Sequence, residues 1–142
     1  VGPICDKDFW EYCLKLLKEL PSNISYDYLG SVEHKEVREI ISNSHLFFLP
    51  TKSENYGHTI FESLSVGTPV LISNQTPWRD LSKYNAGWDL PLMNKINFVD
   101  SINNLSKLSS TQYEEKRLDA LKFVKKRINM SKILESSKDL FR

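Results

Sequence analysis

The sequence lacks most of the features that mark specialised protein classes. Its 142 residues contain two cysteines, Cys5 and Cys13, whose separation forms neither a metal-binding nor a redox motif. No apolar run approaches the roughly 20 residues that a membrane-spanning helix needs. We therefore expect a cytoplasmic protein without a signal peptide, whose thiols are buried in a reducing compartment.

Familiar catalytic and nucleotide-binding motifs are also missing. The chain contains no P-loop, no G-x-G-x-x-G and no G-x-S-x-G. No His/Cys/Asp cluster has metal-ligand spacing, and a net charge of +1 gives no general case for nucleic acid as a partner. We expect no metal site, no bound cofactor and no nucleic-acid partner.

The C-terminal segment is the most unevenly charged part of the chain. Residues 112–142 carry nine Lys/Arg and five Asp/Glu. We interpret this segment as a helix whose basic face is solvated. An anionic partner, such as a phosphate group or the inner face of a membrane contacted peripherally, is the alternative interpretation.

Short apolar runs alternate with helical patterns along the chain. The predicted strands are Val1–Ile4, Ile24–Leu29, Leu46–Leu49, Val70–Ile72 and Gly87–Leu90. The predicted helices are Asp6–Leu20, Ser31–Ser44, Thr59–Val66, a short one capped by Thr76 with Pro77 at its first position, Asn97–Leu108, Gln112–Ile128 and a last one from Lys132 to the end. The alternation predicts a single α/β domain of 142 residues, in which a parallel sheet is covered on both faces, a three-layer αβα fold.

A polar loop, Pro50–His58, follows the predicted strand Leu46–Leu49. Open α/β sheets bind ligands beyond the carboxyl ends of their strands. Gly57 in this loop permits a close backbone approach or a positive φ. The helix that begins near His58 or Thr59 presents free N–H groups, which bind phosphate.

Two carboxylates flank that helix start. Glu54 lies in the loop and Glu62 lies on the first turns of the helix, eight positions later. Carboxylates accept pairs of hydrogen bonds from sugar hydroxyls, so the two glutamates can bind a ligand that lies over the helix start. Judged from the spacing alone, we favour the interpretation of Glu54 as a loop charge and of Glu62 as a solvated or N-terminal helix carboxylate.

The string from His45 to Ser73 resembles a known signature. It reads FFLPT, then E-NYGHTIF-E, then SLSVGTPVLIS. This order is similar to the donor-binding half of retaining, nucleotide-sugar-dependent glycosyltransferases of family 4 (group 1), which have the two-Rossmann-domain GT-B architecture. The resemblance extends from Val1 to about Leu92 and implies a Rossmann-like domain, one half of such an enzyme.

The resemblance also implies roles for individual residues. Glu54 would be catalytic, because it contacts the donor sugar and either stabilises an oxocarbenium-like transition state or acts as a nucleophile. Glu62 would bind the ribose hydroxyls, and Val32 would lie near the nucleobase. The implied donor-binding residues are Glu62, Asn55, Tyr56, Gly57, His58, Thr59 and Val32. Judged from the residues alone, His58 is equally well interpreted as a solvent-exposed loop histidine.

The sequence departs from the family pattern in what precedes Val1. The family supplies an Arg and a Lys to the diphosphate from that region, and an N-terminal acceptor domain, and neither is in this sequence. We expect a hexosyltransferase of polysaccharide biosynthesis. Its partners would be a UDP- or GDP-sugar donor and the missing domain, and it would transfer the hexose to a glycan or lipid-linked acceptor. The isolated chain would be inactive. The alternative is a non-catalytic donor-binding subunit of a split glycosyltransferase.

Two further patterns have a structural interpretation. Asp6-Lys7-Asp8 matches the Asp-x-Asp motif of metal-dependent glycosyltransferases, but aspartates at a helix start also cap it, and we favour the cap. Trp78 and Arg79 are interpreted as an inward-packed ring followed by an exposed cation at a helix start, rather than as a pair that binds a ligand. Phe9 and Trp10 are predicted to be core residues, because they follow the helical period.

Overall fold

The computed structural model describes the backbone of residues 1–139 and the side chains of residues 1–129. Two compact units are present, Val1–Val37 and the residues from Arg38 onward. The division falls within helix α2, His34–Ser42.

The first unit is built around helix α1, Lys7–Leu17. Asp6 caps this helix, because its Oδ1 accepts a hydrogen bond of 2.9 Å from the N–H of Phe9. The ring of Trp10 packs on Tyr28 at a centroid distance of 4.7 Å. The cap interpretation of Asp6-Lys7-Asp8 is therefore confirmed, with Asp6 as the capping residue.

The second unit contains a parallel three-stranded sheet in the order β1-β2-β3. Its strands are β1, Phe47–Leu49, β2, Val70–Ser73, and β3, Gly87–Leu90. Its helices, after α2, are α3, His58–Ser65, α4, Lys95–Ser106, and α5, Ser110–Asp139. Most of the predicted strands and helices of this unit have a counterpart that begins within about three residues of the predicted position. The exceptions are the short helix at Pro77 and the last predicted helix from Lys132, which is part of the continuous α5.

Helices cover both faces of the sheet. On one face Val70 and Ile72 of β2 join a buried cluster with Ile60 of α3 and Val124 of α5. Side chains alternate along a strand, so Leu71 points to the opposite face. Phe48 is its register partner and meets Phe98 of α4 at a ring-centroid distance of 6.1 Å. The result is the predicted three-layer, Rossmann-like α/β arrangement.

The two strands predicted nearest the N-terminus are wrong. Neither Val1–Ile4 nor Ile24–Leu29 is a strand in the structure. A backbone hydrogen bond of 2.7 Å joins the N–H of Gly2 to the carbonyl of Gly30, but no ladder follows it within the described residues. A strand needs a neighbour that pairs its N–H and C=O groups, and an alternating sequence does not supply one.

The short helix predicted at Thr76 and Pro77 is also wrong. Asp80 has a φ of +61°, which an α-helix does not tolerate. The Thr76 hydroxyl does accept a hydrogen bond of 3.2 Å from the N–H of Trp78, as a cap would, but it closes a local turn. Trp78 is 2% exposed and Arg79 is exposed, so their predicted orientations are confirmed without the helix.

The predicted burial of the first helix is only partly correct. Phe9 is 63% exposed and Trp10 is half-buried, so the core assignment of Phe9 is wrong. Cys5 is exposed and Cys13 is half-buried, against the expectation of buried thiols. A helical period identifies a common face, but it does not show that other residues cover that face.

The basic segment forms one continuous helix, α5, in place of the two predicted pieces. The last three residues of the final predicted piece, 140–142, lie outside the described residues. Lys122, Lys125 and Lys126 are exposed, as a solvated face requires. Lys116 is an exception with 6% exposure, and its Nζ donates a hydrogen bond of 2.9 Å to Oδ1 of Asn85.

Among the residues described, no helix combines the length and apolar character needed to cross a membrane.

Candidate functional site

The loop that follows β1 leads directly into the start of α3. It leaves the carboxyl end of the sheet at Pro50, and α3 begins at His58. Gly57 occupies the N-cap position with a φ of +78°, and it offers no side chain to cap the helix. The predicted positive φ of Gly57 is confirmed. The first N–H groups of the helix have no partner within the helix, so they are suited to an anion.

Glu54 holds its carboxylate at this helix start. Its Oε1 accepts a hydrogen bond of 3.3 Å from the N–H of Gly57, and the side chain is half-buried. Its own backbone N–H donates a bond of 3.2 Å to the carbonyl of Gln75. Two hydrogen bonds therefore hold Glu54 in place within the loop.

The loop after β1 is tied to the end of β2. The hydroxyl of Ser73, which is 0% exposed, donates to the carbonyl of Thr51. The hydroxyl of Thr51 donates a bond of 2.7 Å to the carbonyl of Ser53. Trp78, beyond β2, donates from Nε1 to the carbonyl of Tyr56 at 2.6 Å. These contacts fix the loop from two sides.

Sequence reasoning missed the role of Ser73 in this arrangement. A serine as the last residue of an otherwise apolar buried strand was the available signal, because a buried hydroxyl must find a partner. Its partner lies 22 positions earlier in the chain. Such a pairing depends on the parallel register of β1 and β2, which the sequence does not show.

Aromatic rings line the loop. Tyr56 is 51% exposed and its ring lies 4.7 Å from the ring of His58. Tyr56 also meets Phe61 at 6.5 Å and the edge of Trp78 at 6.2 Å. His58 is exposed and occupies the first position of α3. The two exposed rings border the helix start and offer apolar faces to a sugar or a base.

The other predicted donor-binding residues differ in burial and in the unit to which they belong. Asn55 and Thr59 are exposed beside Gly57, and Glu62 is half-buried in the second turn of α3. Val32 is half-buried and belongs to the first compact unit, whereas the rest belong to the second. Their roles stay predictions.

No group of three or more His, Cys, Asp or Glu side chains within the described part of the chain is arranged to hold a metal ion. The groups of the loop after β1 and of the α3 start have a chemistry of their own. One carboxylate accepts hydroxyl hydrogen bonds, and a helix start attracts negative charge.

A separate cavity of about 770 Å³ lies at the opposite edge of the sheet. It is bordered by His45, which precedes β1, and by Tyr113 and Arg117 of α5. The Tyr113 hydroxyl donates a hydrogen bond of 3.0 Å to the carbonyl of His45. Burial raises the pKa of this hydroxyl, so it remains a neutral donor. The cavity lies at the amino ends of the strands, so it is separate from the loop that carries Glu54.

Comparison with known proteins identifies the family. The sequence model described as glycosyl transferases group 1 matches residues 3–127, which is most of the chain. No curated protein and no solved structure matches the chain significantly. The match includes the loop after β1, α3 and the strand that follows. The chain therefore belongs to the group 1 glycosyltransferase family.

Proposed function

We propose that this chain is the donor-binding half of a retaining hexosyltransferase that uses a UDP- or GDP-sugar. It works in cytoplasmic polysaccharide biosynthesis and transfers the hexose to a glycan or lipid-linked acceptor. The sheet that carries the site is, as in this family, one half of a GT-B architecture. The other half, an N-terminal domain, holds the acceptor and closes the cleft.

The observation that carries this proposal is the position of the Glu54 carboxylate at the start of α3. Its contact with the Gly57 N–H places a negative group and unpaired helix N–H groups side by side. A nucleotide sugar needs both, because its hydroxyls donate hydrogen bonds and its diphosphate is an anion. A carboxylate alone does not select such a ligand.

In this proposal the chemistry is divided between the loop and the helix. The bond between the anomeric carbon and the diphosphate oxygen breaks, and a bond from that carbon to the acceptor oxygen forms. The start of α3 stabilises the negative charge that develops on the leaving diphosphate. Glu54 stabilises the positive charge at the sugar, and the acceptor proton leaves with the diphosphate.

The remaining predicted residues complete donor binding. Glu62 accepts hydrogen bonds from the two ribose hydroxyls, and backbone N–H groups around Tyr56–Thr59 contact the sugar and the diphosphate. Val32 lies against the nucleobase. No metal ion is required, since the diphosphate is held by N–H groups and by basic residues outside this sequence.

Thermal unfolding in the presence of nucleotides tests the proposal. At 100 times the dissociation constant a ligand that binds the folded state adds about 2.7 kcal/mol of stability. We expect UDP or GDP at millimolar concentration to raise the midpoint, and uridine or guanosine to raise it much less because they lack the diphosphate. The proposal fails for this chain if neither nucleoside diphosphate changes the midpoint.

A further inference from the structure

The peptide bond between Tyr56 and Gly57 is held from both sides. On one side the indole Nε1 of Trp78 donates to the Tyr56 carbonyl at 2.6 Å. On the other side the Gly57 N–H donates to Oε1 of Glu54 at 3.3 Å. The C=O and N–H of a trans peptide point in opposite directions. Fixing the carbonyl therefore also fixes the direction of the N–H that meets the carboxylate.

Trp78 itself is held rigidly. Its ring packs against Phe61 of α3 and Phe123 of α5, each at a centroid distance of 6.3 Å. The guanidinium of Arg127 lies over the ring, 4.5 Å from the centroid, and Nη2 of the same residue donates to the carbonyl of Pro77 at 2.7 Å. Such a cation–π contact adds to the packing of a buried ring. The indole N–H consequently has a fixed direction relative to both helices.

Gly57 makes room for this contact. A Cβ at position 57 would lie 3.0 Å from Nε1 of Trp78 and 2.8 Å from Cδ1 of Ile60. The close approach of the indole and the absence of a side chain at position 57 are therefore parts of one arrangement.

We propose that Trp78 is a positioning residue for Glu54. Its indole N–H orients the Tyr56–Gly57 peptide, and the Gly57 N–H in turn orients the carboxylate for the donor sugar. This inference rests on the proposed function, because the orientation of Glu54 affects donor binding only if Glu54 contacts the sugar. The hydrogen-bond relay itself is present without any ligand, and it can be tested without one.

The test replaces the indole N–H and keeps the ring. Benzothienylalanine, in which sulfur replaces the N–H, is introduced at position 78 alone, and Trp78→Phe is the conventional variant. Trp88→Phe is the matched control, because Trp88 is a half-buried indole on β3 whose ring contacts Lys116 of α5. The readouts are the Gly57 amide signal, the carboxyl carbon signal of Glu54 and the affinity for UDP and GDP.

We expect the Gly57 and Glu54 signals to move in both position-78 variants without ligand, and not in the Trp88 control. Loss of one hydrogen bond corresponds to a fall in nucleotide affinity of about twofold to twelvefold. Unmoved Gly57 and Glu54 signals in the benzothienyl variant overturn the proposal. If the parent chain binds nucleotide and the Gly57 and Glu54 signals move in the variant, an unchanged nucleotide affinity also overturns the proposal.

The two proposals fail separately. If the parent chain binds neither nucleotide, the proposed donor function fails for this chain. The ligand-free Gly57 and Glu54 signals then decide whether Trp78 orients the carboxylate.

Discussion

The carboxylate of Glu54 accepts a hydrogen bond from the N–H of Gly57, with 3.3 Å between Oε1 and the nitrogen. Gly57 is the N-cap residue of α3, so this contact uses the N–H just before the helix. The first N–H groups of the helix proper, from His58 onward, stay available to an anion. A carboxylate and a diphosphate can thus share one helix start.

Gly57→Ala should be strongly destabilising. The backbone at position 57 has a φ of +78°, and an added Cβ would lie 2.8 Å from Cδ1 of Ile60. The left-handed conformation costs roughly 1–2 kcal/mol for alanine, and overpacking adds typically about 1–3 kcal/mol. We expect urea denaturation to show a loss of about 2–5 kcal/mol in the free energy of unfolding.

Gly30→Ala is the matched control for that substitution. Gly30 has a φ of +63°, but nothing lies within 4 Å of its added Cβ. It should therefore lose only the conformational term, roughly 1–2 kcal/mol. Equal losses in the two variants would show that the space around Gly57 is not as tight as the distances indicate.

Ser73→Ala should loosen the loop after β1. The buried Ser73 hydroxyl donates to the Thr51 carbonyl and accepts from the Gln75 N–H at 3.3 Å. Each of the two hydrogen bonds contributes about 0.5–1.5 kcal/mol, so losing both costs about 1–3 kcal/mol. We expect that loss in urea denaturation, with faster hydrogen exchange at Gln75.

Ser106→Ala removes a comparable hydroxyl at an exposed site, where the Ser106 hydroxyl donates to the Asn103 carbonyl at 2.9 Å. Water replaces that contact, so the change should stay within about 0.5 kcal/mol. A Ser73 variant as mild as this control would contradict the role of the Ser73 hydroxyl in holding the loop.

Glu62→Ala should weaken the binding of nucleoside diphosphates if Glu62 accepts hydrogen bonds from the ribose. Hydrogen bonds to charged groups contribute about 1.5–3 kcal/mol, or roughly 10-fold to 150-fold in affinity. Isothermal titration with UDP and GDP measures the change. Glu115→Ala, an exposed glutamate on α5, is the control and should bind as the parent does. An unchanged affinity in the Glu62 variant would rule out the ribose role.

Asp119 should contribute a small stability that depends on pH. Hydrogen bonds from Asn85 at 3.0 Å and from Lys122 at 2.9 Å hold the pKa of its carboxyl below the usual range. The folded pKa is lower than the unfolded one, so the contribution is complete above the unfolded pKa of about 4 and is lost as the pH falls through the folded pKa.

Carboxyl NMR titration measures that pKa directly. Asn85→Gly removes the amide donor and keeps a residue that tolerates the φ of +53° at this position. We expect the pKa of Asp119 to move towards its ordinary value in this variant. Asp119 is only half-buried, so the part of the stability change that depends on its titration should stay below about 1 kcal/mol. The variant also removes the Oδ1 that accepts a hydrogen bond from Lys116, and that loss adds a destabilisation that does not follow the titration of Asp119. An identical pKa in both proteins would show that Asn85 does not set it.

The second compact unit was predictable from the sequence to within a few residues. Val70–Ile72 is apolar throughout because β2 is the central strand and is buried on both faces. Gly57 and Gly67 bracket α3, and Gly57 has the left-handed φ that its role at the helix start requires. Patterns of this kind are local, so a single sequence carries them.

The features that could not be predicted from the sequence depend on partners far away in the chain. Ile24–Leu29 alternates as a strand does, yet Tyr26 and Tyr28 are exposed and no ladder pairs them in the described residues. At the candidate site, Glu54 was identified but its contacts with Gly57 and Gln75 were not. Ser73 and Trp78 reach the loop across 22 residues. Such hydrogen bonds arise from the register of the sheet, and composition and period do not encode them.

The most direct measurement is an amide NMR titration of the chain with UDP and GDP. We expect the signals between Glu54 and Glu62 to shift, and to shift more with a nucleoside diphosphate than with the nucleoside. Signals of His45 and Tyr113, which border the cavity at the opposite edge of the sheet, should stay in place. Shifts confined to that cavity, or no shifts at millimolar nucleotide, would contradict the account.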